Sequence, residues 1–417
     1  MAQESVYLGI DSGSTTIKSA VISEQGELLY TRYQSNSGDP VPHVRAFLSD
    51  LRREHPDSAI ILAGCLAQRK GGELLETGAK LIIGTQHRDQ VVDLLEKAIE
   101  NGPISAVNEL NAATPFEELT ITTQDEHTRA TLKIQEGCNN HCTYCIIPSV
   151  RGPIRSRDIG NIREETARLV AAGYTELVLT GIHLSSYGKD LGDGSTLLDA
   201  IRAVHEVEGV QRIRLGSLEP TIATLEFSQA LAAMPKVCPQ FHLALQSGSN
   251  TVLARMARRY NMTMYMQAVA NLRAAFPMAA FTTDVLTCFP GETEEEYEET
   301  RQTIRDVGYA KIHVFPYSPR EGTKAAVMPG QLTKAVKEHR TRELIALGEE
   351  TAAAYQAQWV DKISTVLIEE MIGGLWHGYT PEYIPVTIAD CPACVPGRIV
   401  TVRLTNPTAE GMTGEII

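Results

Sequence analysis

From about residue 130 onward, short apolar runs at strand spacing take turns with stretches of helical spacing. TLKIQE (131–136) predicts a strand, and NIREETARLVAAG (161–173) predicts a helix that ends on a glycine, the residue a helix C-terminus favours. TELVLTG (175–181) predicts a buried strand. The alternation continues through a helix over 195–206, strand RIRLGS (212–217), a helix over 221–233, strand FHLALQ (241–246) and a helix over 249–259. Strand FTTDVLT (281–287), a helix over 292–307 and strand KIHVFP (311–316) complete it. Strands separated by helices pair in parallel through right-handed crossovers. The predicted fold class is therefore α/β, a full or partial α/β barrel with its site on the loops at the carboxyl ends of the strands. Beyond about residue 356 the pattern changes: TVLIEE, YIPVTI and GRIVTVRLT are short β-rich runs broken by Gly and Pro, which predicts a small β-barrel.

The first 125 residues are less regular. VYLGIDSGSTTIKSAVIS followed by GELLYTRYQ reads as a β-hairpin with a Gly/Ser/Thr turn. AIILAGCLAQ opens a separate α/β stretch that runs to about residue 100, and Asn111–Leu119 reads as a linker. The expected division is 1–58, 59–125, 126–355 and 356–417.

Composition narrows the function. A formal charge of −13 argues against general coating of nucleic acid, which needs a basic surface, although a local basic site is compatible with it. No run approaches the ~20 apolar residues of a membrane span, and MAQESVYLGIDSG lacks the features of a signal peptide, so the expectation is a cytoplasmic protein without a membrane partner. In a reducing compartment the eight cysteines read as metal ligands or core thiols sooner than as disulfides. Three of them, Cys138, Cys142 and Cys145, stand in EGCNNHCTYCIIP with C-x3-C-x2-C spacing directly after a strand. Such a loop can hold three irons of a [4Fe–4S] cubane and leave the fourth open. An open iron can chelate the amino and carboxylate groups of S-adenosylmethionine (SAM), whose sulfonium an electron from the cluster then cleaves. Zinc sites usually pair two ligand couples, and no second couple stands near this loop.

From about residue 59 to its end the chain resembles the radical SAM methylthiotransferases, above all the type that modifies threonylcarbamoyladenosine in tRNA. The resemblance rests on AGCLAQ (63–68), IQEGCNNHCTYCIIPSVRGPIRSR (134–157), LTGIHLSSYGKD (179–190), RLGSLEP (214–220), LQSGSN (245–250), FPGETEEEY (289–297) and FPYSPREGT (315–323). It implies a partial radical-SAM barrel, a truncated N-terminal α/β domain and a TRAM-like C-terminal β-barrel. It further implies insertion of a methylthio group at C2 of the adenosine next to the anticodon. The implied partners are a tRNA anticodon stem-loop and an electron donor such as flavodoxin or ferredoxin. The alternatives are a sister methylthiotransferase acting on isopentenyladenosine tRNA or a ribosomal protein, and a SAM-cleaving or RNA-binding relic inactive in sulfur insertion. Thr180 and Gly181 at a strand end would meet the amino-acid part of SAM, and Glu219 its ribose, since a carboxylate can accept from both hydroxyls. Gln246 and Ser247 would be polar contacts at the next strand end. Arg129, Lys133, Arg151, Arg155, Arg157 and Arg163, with Arg255, Arg258 and Arg259, would suit RNA phosphates. The TRAM-like module carries only Lys362, Arg398 and Arg403 against seven acids, which weakens its own grip on phosphate.

The chain departs from this family in places. The family's auxiliary cluster needs three cysteines in the N-terminal domain, and only Cys65 is present, because residues 1–58 contain none. YLGIDSGSTTIKSAVI instead resembles the opening of an actin/hexokinase-like ATPase of the 2-hydroxyacyl-CoA dehydratase activators, in which Asp11 and Gly13–Thr16 would meet phosphate and magnesium. About 58 residues cannot complete that fold, and the preferred reading is a fused or mis-joined reading frame. Cys288 stands where the family has glycine. Cys391 and Cys394 form a CxxC pair without an assigned role, and Cys238 reads as a core thiol.

Overall fold

The computed structural model describes residues 6–12, 16–23, 28–35, 49, 53, 59–119, 128–389 and 391–417, the first three stretches as backbone. The chain forms two units, one of residues 1–119 with 146–153, the other of residues 120–145 with 154–417.

In the first unit, β1 (Val6–Ser12), β2 (Thr16–Ser23) and β3 (Leu28–Ser35) form an antiparallel sheet with Val6 opposite Ser23, as the hairpin reading expects. Gly13, Ser14 and Thr15 of the hairpin turn lie outside the described residues, as does the Asp11 side chain. A second sheet is parallel: β4 (Ile61–Ala63), β5 (Leu81–Ile83) and β6 (Ile104–Ser105), connected by α1 (Cys65–Lys70) and α2 (Val91–Asn101). Leu81, Ile83, Leu95 and Ala98 form its small core. Residues 111–119 contain neither strand nor helix. The short α3 (Ile147–Arg151) belongs to this unit.

The second unit holds the predicted alternation. β7 (Ala130–Glu136) is followed by β8 (Arg155–Ser156), α4 (Ile159–Ala171), β9 (Glu176–Gly181), α5 (Leu197–His205), β10 (Arg212–Leu215) and α6 (Leu225–Ala232). β11 (Gln240–His242), α7 (Asn250–Arg255), α8 (Met262–Ala275), β12 (Ala280–Thr287), α9 (Glu294–Val307) and β13 (Lys311–Pro316) come next. β7, β9 and β10 pair in parallel, as do β11, β12 and β13, and bridges from Ile213 to Val237 and Leu218 to Leu243 join the two sheets. The result is an open six-stranded partial barrel, its helices packed outside over Leu132, Leu179, Ile213, Phe241, Phe281 and their neighbours.

Two expectations need correction. The strand expected over 241–246 stops at His242, after which the chain makes only isolated bridges. The helix expected over 249–259 ends at Arg255, because Ala257 takes a left-handed conformation (φ 57°) and the amides of Ala257 and Arg258 close back on Ala254 and Leu253, a Schellman stop. α8 then begins at its own cap, Asn261, whose side chain accepts from the Met264 amide, and it buries Tyr265, Ala268, Val269 and Leu272 at helical spacing. Both that helix and α10 (Lys334–Ala357) are additions to the predicted series. In α10, Gly348 lets the helix lie directly on β13, since a Cβ there would fall 2.4 Å from Ile312 Cγ1.

β14 (Ile363–Ile372), β15 (Leu375–Tyr379), β16 (Pro385–Ala389), β17 (Ile399–Pro407) and β18 (Met412–Ile416) close the expected small barrel, in the order β14-β15-β16-β18-β17. Alternate residues Val400, Val402 and Leu404 fill it together with Val366, Ile388 and Met412. Arg212 and Arg214 fasten this barrel to the α/β core. Arg212 donates to the Tyr379 and Thr365 carbonyls (3.0 and 2.9 Å) and Arg214 to that of Pro381 (2.9 Å). Buried Glu176 neutralises both guanidinium groups, at 3.3 and 2.9 Å.

Candidate active site

The cysteine loop leaves the carboxyl end of β7 at Gly137, which takes φ 71°. It is held in shape by short bonds: the Asn140 amide donates to Cys138 Sγ (3.3 Å) and the Cys145 amide to the Cys142 carbonyl (3.0 Å). Thr143 pins it to the end of α7, through its amide to the Met256 carbonyl (3.0 Å) and its hydroxyl to that of Arg255 (2.9 Å). Tyr144 donates to Gln246 Oε1 (3.2 Å).

Around this loop lies a charge network. Arg258 donates to Cys142 Sγ at 3.2 Å, reaches Glu219 Oε1 at 3.2 Å and lies over the Tyr260 ring. Burial alone would lower its pKa, but Tyr260, Tyr144, Cys142 and Glu219 more than reverse this and hold it charged. Glu219, at the exit of β10, is 6% exposed; it accepts from Asn140 Nδ2 (3.2 Å) and lies 3.1 Å from His183 Nε2. Burial pushes its carboxyl up, yet the His183 hydrogen bond and the Arg258 charge outweigh that and leave it below the usual range. Glu219 is therefore an ionised buried carboxylate beside the cysteine loop.

The structure brings Cys138, Cys142, Cys145, Glu219 and Gln246 into one connected region, and treats the other expected residues differently. Gly181 ends β9 against Gln135, where a Cβ would lie 2.8 Å from Gln135 Cβ. Gln135 in turn takes the His183 amide on its Oε1 (2.6 Å) and donates to the Gly137 carbonyl (2.8 Å), so this glycine sets the backbone of the cysteine loop. Thr180 pairs across from Lys133. Ser247 is buried and its hydroxyl is taken up by the Ser249 amide and Thr300, which ties the segment to α9. Gln246 holds φ 62°, a left-handed strain in a non-glycine residue. Cys65 stands in the first unit, at the start of α1.

Most of the arginines expected to grip phosphate are committed elsewhere, because carboxylates among the described residues lie within reach of five of the eight. Arg157 pairs with buried Glu165 (2.5 Å), Arg255 chelates Glu296 (2.7 and 2.6 Å), Arg163 meets Glu206 (2.6 Å) and Arg129 meets Glu369 (2.9 Å). Lys133 pairs with Glu136, and Arg151 and Arg155 are also engaged. Arg259, exposed, bonds the Asn139 carbonyl (3.1 Å). His183, Asn140 and Arg258 are the site residues that sequence reasoning did not assign to it. His183 had one signal, its place two residues past the strand-end glycine.

The donor set fits a cluster. Burial pushes the Cys138 thiol up and nearby Cys142 and Cys145 add to the effect, and the loop gathers three soft sulfur ligands of the kind an iron–sulfur cluster takes. Among the described residues no three His, Cys, Asp or Glu side chains are already closed into a metal cage, at this loop or around Cys65. Of the other cysteines, Cys238 is buried and its thiol is pushed up to about 11 by burial. Cys288 is buried with φ 61°, the backbone region that favours glycine. Cys394 lies in the core of the terminal barrel with Cys391 packed beside it.

Comparison with known proteins agrees with this geometry. Residues 132–304 match the radical SAM superfamily. Over 393 residues the chain is 38% identical to threonylcarbamoyladenosine tRNA methylthiotransferase MtaB of Bacillus subtilis (strain 168), covering 92% of this chain and 86% of that protein. That 92% is a larger share than residues 59–417 supply, so the likeness extends into the first 58 residues. Among solved structures, the radical SAM methyltransferase TsrM from Kitasatospora setae, with cobalamin and a [4Fe–4S] cluster bound, aligns with a TM-score of 0.53 at 13% identity. A second structure of TsrM, with tryptophan and the SAM analogue aza-SAM, aligns with a TM-score of 0.53 at 14% identity. Each alignment covers 69% of this chain and 60% of TsrM, and at such identity the likeness concerns the fold alone. The chain belongs to the radical SAM methylthiotransferases of the MtaB type, transferases that use a [4Fe–4S] cluster and SAM.

Proposed function

We propose that this chain methylthiolates tRNA, at C2 of N6-threonylcarbamoyladenosine next to the anticodon. What carries the reading is the joining of the three-cysteine loop to a buried carboxylate through Asn140, in a chain 38% identical to an enzyme named for this substrate. Cys138, Cys142 and Cys145 would hold the cluster, which supplies the electron that cleaves SAM. Arg258 offsets negative charge at the Cys142 thiolate. Glu219 has lone pairs left after Asn140, His183 and Arg258 are served, and accepts from the ribose hydroxyls of SAM. Gln246, presented by its strained backbone, and Thr180 at the end of β9 are further SAM contacts. The partners are the tRNA anticodon stem-loop and a small electron carrier of the flavodoxin or ferredoxin kind. The compartment is the cytoplasm; among the described residues no helix is long and apolar enough to cross a membrane.

One observation favours a second reading. Cys65 has no cysteine before it in the sequence and belongs to no group of three or more metal-ligating side chains among the described residues, so a chain that cleaves SAM without inserting sulfur is the alternative. The experiment is anaerobic reconstitution, an iron and sulfide count, and mass spectrometry of nucleosides from tRNA incubated with SAM and reductant. About eight irons per chain and methylthio product support the proposal; about four irons and deoxyadenosine alone support the alternative. Methylthio-isopentenyladenosine as the product would move the substrate to the sister enzymes.

A further inference from the structure

β11, β12 and β13 carry ionisable side chains that neither the cysteine loop nor the Glu219 network uses. Alternation decides which way they face. Phe241, Leu243, Phe281, Val285, Ile312 and Val314 pack into the core beneath the helices, so the residues between them face the inside of the open barrel. The register arranges these inner residues in tiers: His242 beside Thr282 beside Lys311, then Asp284 beside His313, then Leu286 beside Phe315. Tiers are about 6.6 Å apart, two residues of strand rise. The Leu286–Phe315 tier lies at the carboxyl ends, beside Gln246, which Tyr144 of the cysteine loop contacts.

Side-chain geometry ties the lower tiers together. His242 Nδ1 lies 3.1 Å from Thr282 Oγ1 and its Nε2 3.5 Å from the Asp284 carboxylate. The His242 and His313 rings stack, with centroids 6.2 Å apart. Burial lowers the His313 pKa, with Asp284 opposing and Lys311 and His242 assisting, so its ring is neutral at pH 7 and keeps one N–H to donate. Lys311 and His313 are exposed, and no salt bridge reaches Lys311 among the described residues. The side chains of these tiers offer hydrogen bonds and charge to whatever enters the barrel. Above it Phe315, 48% exposed, offers an aromatic face at the height of the cysteine loop.

We propose that these tiers form the subsite for a carboxylate-bearing substituent on the target base. Lys311 pairs with the carboxylate, His313 donates to it, Asp284 (oriented by His242) accepts from a hydroxyl or N–H, and Phe315 stacks on the base. The inference rests on the substrate reading above and deepens it. A threonylcarbamoyl group has one carboxylate and one hydroxyl and is joined to the base through two amide-type N–H groups, the polar set these tiers can pair. An isopentenyl group has only carbon and hydrogen, and in this subsite it would desolvate Lys311 and Asp284 without pairing them. That mismatch gives the site its selectivity.

The test is binding of reconstituted full-length protein to synthetic anticodon stem-loops carrying threonylcarbamoyladenosine, isopentenyladenosine or plain adenosine. Wild type is expected to prefer the first. Lys311→Met should erase that preference, a loss of roughly tenfold to hundredfold as for a charge-assisted hydrogen bond, with affinity for the plain stem-loop unchanged. Lys311→Arg should keep it. Full preference retained by Lys311→Met overturns the subsite and leaves the substrate reading intact. Preference of the wild type for the isopentenyl stem-loop overturns both.

Discussion

Replacing Glu219 by Gln preserves its shape and reverses half of its chemistry. The carboxylate receives donors from Asn140 at 3.2 Å, His183 at 3.1 Å and Arg258 at 3.2 Å. A glutamine offers one oxygen in place of two and turns an NH2 toward groups that are themselves donors. If Glu219 holds the SAM ribose, the lost charged acceptor should weaken SAM binding by about 1.5–3 kcal/mol, roughly 10- to 150-fold in Kd. Arg258 would lose its carboxylate but keep the Cys142 sulfur and the Tyr260 face, so the cluster loop should survive. The carboxyl is held below the ordinary range near 4.3. Its charge, and the stability it contributes, is therefore complete above that range and is lost only as pH falls through the lower folded value. Wild-type SAM affinity should accordingly owe none of its variation between about pH 6 and pH 8 to this group. The assay is calorimetric titration of SAM into anaerobically reconstituted protein, with iron counted in each sample. Equal affinity at equal iron content would refute the ribose role. So would a variant whose iron is lost, since Glu219 would then be a support of the loop.

Cys138→Ala should abolish reductive SAM cleavage and lower bound iron, and cleavage at unchanged iron would remove the loop from the chemistry. Glu176→Gln should destabilise the second unit by about 3–5 kcal/mol, because it strands the buried Arg212 and Arg214 guanidinium groups. A loss below about 1 kcal/mol in chemical denaturation would show that the barrel carbonyls alone satisfy both arginines. The hydrogen bonds from Arg255 pull the Glu296 carboxyl down to about 2, so its stabilising contribution is present above the ordinary carboxyl pKa and fades as pH falls toward 2. Glu296→Gln should flatten the acid-side stability profile across that window; an unchanged slope would mean that the pair is too solvated to matter.

Apolar periodicity and three cysteines at C-x3-C-x2-C spacing were enough to determine the α/β class, the terminal β-barrel and the cofactor class, because these depend on contacts within one element or its next neighbour. β7, β9, β12 and β13 fall within a residue of their predicted limits for that reason. α8 escaped although Asn261 and the Tyr265–Leu272 spacing announce it, since the left-handed turn at Ala257 that separates it from α7 involves an alanine, with no residue type to mark it. The roles of the charged residues depended on distance across the fold. In one dimension Arg157 and Arg255 are indistinguishable from Arg258, yet partners 8 and 41 residues away neutralise the first two, while the third reaches a cysteine 116 residues away and a buried glutamate. Glu219 reads in the sequence as an acid before a proline, the composition of a solvated loop. Only the tertiary structure buries it among Asn140, His183 and Arg258, and it is this desolvated setting, with donors fixed on three other elements, that makes an ordinary carboxylate a candidate for the site.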